Sequence, residues 1–138
     1  MNRDRIVVDT GPLVAILAED DAAHDRCVDE SQVLSTPFFT TWPVLTEAAW
    51  LLRDKPESIP KLMGLMEQGL VHCVELDAAA VPAISSLAAK YADIQPQLAD
   101  LTLVYVAARE QIQTVFTLDH RDFVIYRNDR GRPFNLIP

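Results

Sequence analysis

Apolar and polar residues alternate in blocks along this chain. Residues 5–8 (RIVV), with their short apolar run of Ile6, Val7 and Val8, read as a buried strand. The apolar stretch GPLVAILA (11–18) follows, with Pro12 near its start, where a helix's first turn tolerates proline. A polar second helix is expected over 21–31 and a short strand over 33–35. Thr40 or Thr41 can cap a helix that runs to about Arg53, with Pro43 in its first turn. A helix fits 57–68 and ends near Gly69; VHCVEL (71–76) reads as a strand. Residues 78–91 read as helical, with Val81, Ile84, Leu87 and Ala88 as the apolar face. A clear helix covers about 98–110, TVFTL (114–118) is a β-rich apolar run, and the last residues add an edge strand.

Strands thus alternate with helices, which predicts an α/β fold with a central parallel sheet covered on both faces. Turn signals punctuate the chain evenly and no repeat or long linker interrupts it, so one domain is expected over 1–138. Sites in such folds lie beyond the carboxyl ends of the strands. Asp9 and Asp119 both directly follow apolar strands.

Two more acids sit where charge is costly. In WPVLTEAAWLL (42–52), Glu47 borders the apolar stripe formed by Val44, Leu45, Ala48, Leu51 and Leu52. No Lys or Arg lies one turn away to neutralise it, and a charge beside a core needs a partner or a metal. Asp100, in LADLTLVYVAA (98–108), shares its face with Leu103, Val104 and Ala107. Each acid also has a plain structural explanation. Asp9 suits a helix cap, in competition with Thr10; Glu47 suits a partner elsewhere in the fold; Asp100 suits the positive end of a helix dipole. In VFTLDHRDF (115–123), Asp122 follows Asp119 by three residues, and Asp122 is the better candidate for a mere turn or cap residue. Taken together, oxygen-rich and nitrogen-poor acids suit Mg2+ or Mn2+. Such ions activate water and stabilise the oxygens exchanged in phosphoryl transfer.

Charge and composition qualify this picture. The net charge is −8, from 12 basic and 20 acidic residues. That argues against a general nucleic-acid binder with a basic surface. The balance is uneven, however: residues 114–138 carry four arginines (121, 127, 130 and 132) against three acids. The arginines can hold phosphates or simply face solvent. Cys27 and Cys73 are the only cysteines, have no zinc spacing, and are expected to be reduced thiols. No signal peptide is apparent and no apolar run approaches the ~20 residues of a membrane span, so a cytoplasmic location is expected.

The order and spacing of VVDTGPL, LTEAAWLL, LADLTLVYVAA and FTLDHRDF resemble the PIN domain, especially the VapC-type toxins of bacterial toxin–antitoxin pairs. The resemblance covers nearly the whole chain. It is most specific in the C-terminal half, where an Asp-led helix precedes an apolar strand, T-x-D and D-F. It implies a three-layer α/β/α fold and metal-dependent endoribonuclease activity, with Mg2+ or Mn2+ as cofactor. It further implies homodimerisation and inhibition by a small cognate antitoxin. The family's metal-binding acids map to Asp9, Glu47, Asp100 and Asp119. Asp122 maps to an acid that is variably a ligand. Thr10 and Thr117 match small polar positions beside the acids and, with Arg121 and Arg127, are the expected substrate contacts. Leu101 stands where the family usually has alanine, and Gln97 where similar chains often carry another acid.

Other features are less pointed. His24, His72 and His120 are not at metal spacing, and His120, beside Asp119, reads as a surface residue. Trp42 and Trp50 lie eight apart on one helix; packing explains them more simply than base stacking. A P-loop and a G-x-S-x-G elbow are absent. A haloacid-dehalogenase-like phosphatase needs a second Asp where Gly11 stands. A silent PIN-like module that binds RNA or protein is the remaining alternative, and it gives no reason to retain four costly carboxylates.

Overall fold

A computed structural model describes residues 4–138. The strands are β1 (Ile6–Val8), β2 (Phe38–Thr40), β3 (Val71–Cys73), β4 (Thr114–Phe116) and β5 (Asn135–Ile137). All pair in parallel, in the order β3-β2-β1-β4-β5. The helices are α1 (Thr10–Leu17), α2 (His24–Val33), α3 (Trp42–Leu51), α4 (Ser58–Glu67), α5 (Ala80–Lys90), α6 (Leu98–Glu110) and the single turn α7 (His120–Phe123). The result is the expected α/β/α arrangement around a parallel sheet. β1 and β4 are buried at every position, because both faces of the central strands are covered. Leu13, Leu45, Leu103, Val104, Phe116 and Phe123 fill the core.

The strand order reverses between β1 and β4. From β1 the chain steps outward through β2 to β3, then returns to place β4 on the other side. The two loops leaving the carboxyl ends of β1 and β4 therefore diverge and open a crevice between them. Asp9 stands in one loop and Asp119 in the other.

Three expectations need correction. The strand expected over 33–35 lies instead at Phe38–Thr40. Helix α2 continues through Val33, whose side chain is 80% exposed, and only the FFT segment has aromatic bulk to bury against Phe116. Thr41 occupies the cap position of α3, yet neither it nor Thr40 caps with its side chain. Thr40 donates to the carbonyl of Val8, and the Thr41 hydroxyl pairs with Thr102 at 2.7 Å. That pair fastens α3 to α6, the helices that carry Glu47 and Asp100. Third, Trp42 and Trp50 do not pack in the core: they are 58% and 63% exposed. The Arg53 guanidinium lies 4.0 Å over the Trp50 ring. Cys27 and Cys73 are both unpaired. Among the described residues, no helix is long and apolar enough to cross a membrane.

Candidate active site

An open cleft of about 470 Å³ sits at the crevice. Asp9, Glu47, Asp100 and Asp119 all line it, with Thr10, Gly11, Leu51, Gln97 and Leu118. Each acid arrives on a different element. Asp9 ends β1, Glu47 projects from α3, Asp100 from the first turn of α6, and Asp119 follows β4. Asp122 joins them from α7: one carboxylate oxygen each from Asp100, Asp119 and Asp122 fall within 4.8 Å of one another. Gly11 allows the two strand-end loops to approach. A Cβ there would meet the Leu118 Cβ at 3.2 Å, tighter than ordinary contact.

Neutral donors hold the acids in place. The Thr117 hydroxyl donates to Asp9 Oδ2 at 2.9 Å and accepts from the Asp119 N–H at 2.9 Å, so one buried group links both strand-end loops. Thr117 was expected to touch substrate; it is fully buried behind Asp9 and does not line the cleft. The Thr10 hydroxyl donates to Glu47 Oε1 at 2.7 Å and does face the cleft. Asp119, not Asp122, is the capping residue, accepting from the Asp122 N–H at 3.2 Å. The cap costs Asp119 one oxygen and leaves it in the cleft. Asp9 occupies the cap position of α1 without a side-chain capping bond.

Among the described residues, no cation compensates these charges. The ion pairs among the described residues are Arg5–Glu110, Lys55–Asp20 and Arg109–Glu110, all away from the cleft. Asp100 is 4% exposed, and its carboxyl is pushed up to about 8, first by burial and then by Asp9, Asp119, Asp122 and Glu47. Asp9, 5% exposed, rises to about 6. Burial is again the main cause, opposed by hydrogen bonds from the Thr10 N–H and the Thr117 hydroxyl. Two carboxyls raised by crowding and burial mark a site that favours a cation.

The arginines divide. Arg121 is exposed on α7 beside Asp122 and forms no ion pair among the described residues. Arg127 is spent on the chain itself: its guanidinium donates to the carbonyls of Val124, Ile125 and Tyr126. Arg130 and Arg132 stand on a loop whose Asn128 and Asp129 bond Gln113, just before β4. That is the amino end of the sheet, roughly 20 Å of extended chain from Asp119. His24 bonds the Ala15 carbonyl, His72 and His120 are exposed, and no histidine or lysine lines the cleft.

Beyond the expected acids and Thr10, the cleft contains Gln97, at the position where similar chains often carry another acid, and Leu51, Leu118 and Gly11, which no motif in the sequence marks as site residues. The close pairing of Gly11 with Leu118 joins positions far apart in sequence and leaves no local trace.

A parallel sheet with four acids gathered at its switch point defines a class of α/β domains with an acidic cleft, and the PIN domain family model matches residues 6–129. The chain belongs to that family. Among its relatives is Ribonuclease VapC26 of Mycobacterium tuberculosis (strain ATCC 25618 / H37Rv), 29% identical over 140 residues, covering 96% of this chain and all of the relative. The fold also matches the crystal structure of the Mycobacterium tuberculosis protein VapC20, described as a sarcin-ricin loop cleaving toxin. There the TM-score is 0.76 and the identity 19%, over 84% of this chain and 91% of the other.

Proposed function

We propose that this chain is a divalent-metal-dependent endoribonuclease and the toxin of a type II toxin–antitoxin pair. The observation that carries the reading is the convergence of Asp9, Glu47, Asp100 and Asp119 on one cleft with no Lys, Arg or His among the described residues to balance them. The full-length similarity to a ribonuclease supports it.

The donor set fits Mg2+ or Mn2+. Every donor is a carboxylate oxygen, and the nitrogen and thiolate ligands that draw zinc or copper are missing from the cleft. Asp9, Glu47, Asp100 and Asp119 would hold the ion, with Asp122 in reach. When bound, it supplies Lewis acidity that makes water nucleophilic at neutral pH and offsets charge on the phosphate.

The chain's own groups do the rest. Thr117 and Thr10 keep Asp9 and Glu47 from swinging. Thr10 and Gln97 line the cleft where a phosphate would enter, and Arg121 offers an exposed cation on α7, the turn that follows Asp119. No histidine or lysine stands ready to deprotonate a ribose 2′-hydroxyl. Hydrolysis by water therefore fits best: its oxygen bonds to phosphorus, the P–O3′ bond breaks, and 5′-phosphate and 3′-hydroxyl ends remain. A small antitoxin can close the cleft by placing an Arg or Lys among the acids, since a guanidinium pairs bidentately with carboxylates. The reading includes a homodimer, and the exposed Trp50, Leu51 and Leu98 are apolar surface available for self-association.

End-group analysis of RNA cut by the purified chain tests the reaction. The expected products carry 5′-phosphates and disappear in chelator and in Asp9→Asn. Cyclic phosphate ends, or cleavage that persists in chelator, would overturn the mechanism.

A further inference from the structure

Three of the four cleft acids have an evident neutral donor: Thr117 for Asp9, Thr10 for Glu47, and the Asp122 N–H for Asp119. Asp100 is buried among like charges and needs one more than they do. Among the described residues, the donor that reaches its carboxylate is the Tyr126 phenol, with the hydroxyl 3.5 Å from Oδ2. That distance is long for an O–H···O pair, but the two groups are enclosed together: Tyr126 is fully buried.

The ring has little freedom. It meets Tyr91 edge-on with centroids 4.9 Å apart at 89°, and Phe123 at 5.2 Å and 72°. The next residue is fixed as well. The Arg127 N–H donates to the Tyr91 hydroxyl at 3.0 Å, and the Arg127 guanidinium holds the carbonyls of 124–126. Thus one segment, 119–127, contributes Asp119 and Asp122 and also brings a phenol to an acid on a different helix. A phenylalanine would fill the same apolar space; the hydroxyl adds only the contact with Asp100.

We infer that Tyr126 is a positioning residue for Asp100: its hydroxyl engages Oδ2 and leaves Oδ1 free for the cation that the cleft would hold. The inference rests on the metal-site reading of the cleft. Groups that hydrogen-bond metal ligands commonly change metal affinity by 10–100-fold when removed.

Tyr126→Phe separates positioning from packing, because it keeps the ring. Mn2+ binding by calorimetry is expected to weaken about tenfold or more. The melting curve and far-ultraviolet circular dichroism in chelator should remain those of the parent chain. Unchanged Mn2+ affinity would overturn the inference. So would a collapse of the chelator-state signal and melting temperature in step with the affinity, which would assign Tyr126 to packing. If the variant failed to fold, the tyrosine ultraviolet difference spectrum of the parent chain is expected to shift on Mn2+ addition, because the carboxylate beside the Tyr126 phenol gains a cation; no tyrosine perturbation on saturation would refute the role. If the parent chain bound no Mn2+, the metal-site reading would fail along with it. Normal binding in the parent and in Tyr126→Phe would sink only this inference.

Discussion

Replacing Asp100 with asparagine probes the electrostatics of the cleft without changing its shape. In the metal-free chain the Asp100 carboxyl is held at about 8, against an ordinary value of 3.8. The unfolded chain gives up this proton near pH 4, whereas the folded chain keeps it until about pH 8. Between those limits the folded state binds more protons, so stability falls as pH rises. One pKa unit corresponds to about 1.4 kcal/mol, which gives a limit of about 4 kcal/mol at pH 7. The neighbouring acids share the proton uptake, which leaves about 2 kcal/mol for a single substitution. Asp100→Asn does not titrate. In chelator at pH 7–8 it should therefore melt roughly 6–8 °C above the parent chain. The gap should shrink towards zero near pH 4. Mn2+ should raise the melting temperature of the parent far more than that of the variant. Thermal melts across pH 4–8.5, with and without Mn2+, measure all of this. A variant less stable than the parent at pH 8 in chelator, or a gap independent of pH, would show that crowding and burial do not hold the Asp100 proton.

Other substitutions test the supporting groups. Thr117→Val removes the hydroxyl that joins Asp9 to the Asp119 N–H. It should cost about 1–3 kcal/mol in denaturant unfolding and lower RNA cleavage by about tenfold or more. Arg121→Ala should raise the KM for RNA and reduce the salt dependence of binding by about one ion, with no change in melting. Arg127→Ala should do the reverse, losing about 1–2 kcal/mol of stability because three carbonyls lose their donor. Gly11→Ala pushes a methyl group against Leu118 and should cost about 1–3 kcal/mol while displacing Asp119, read as a drop in kcat.

The central strands and α6 were legible because burial on both faces leaves an unbroken apolar signature. Thus β1, β4 and the helix over 98–110 fall where the pattern put them. β2 was misplaced because Val33 and Leu34 look strand-like in isolation, while the sheet takes the aromatic FFT segment. The single turn α7 escaped notice because four residues carry no helical period. The acids were legible through their cost: a carboxylate at a strand end or on an apolar helix face needs a reason. The supporting contacts were not. The contact of Tyr126 with Asp100 spans 26 positions and that of Thr117 with Asp9 spans 108, so no local pattern announces either. The tail arginines show the same limit from the other side. They are close in sequence to Asp119, but the chain turns back and carries Arg130 and Arg132 to the far end of the sheet.

The central claim is that Asp9, Glu47, Asp100 and Asp119 act together on one cation site. Calorimetric titration of the purified chain with Mn2+ tests it most directly, alongside Asp9→Asn, Glu47→Gln, Asp100→Asn and Asp119→Asn. Saturable binding by the parent chain and a marked loss of affinity in every variant are expected. Binding that survives undiminished in all four would contradict it.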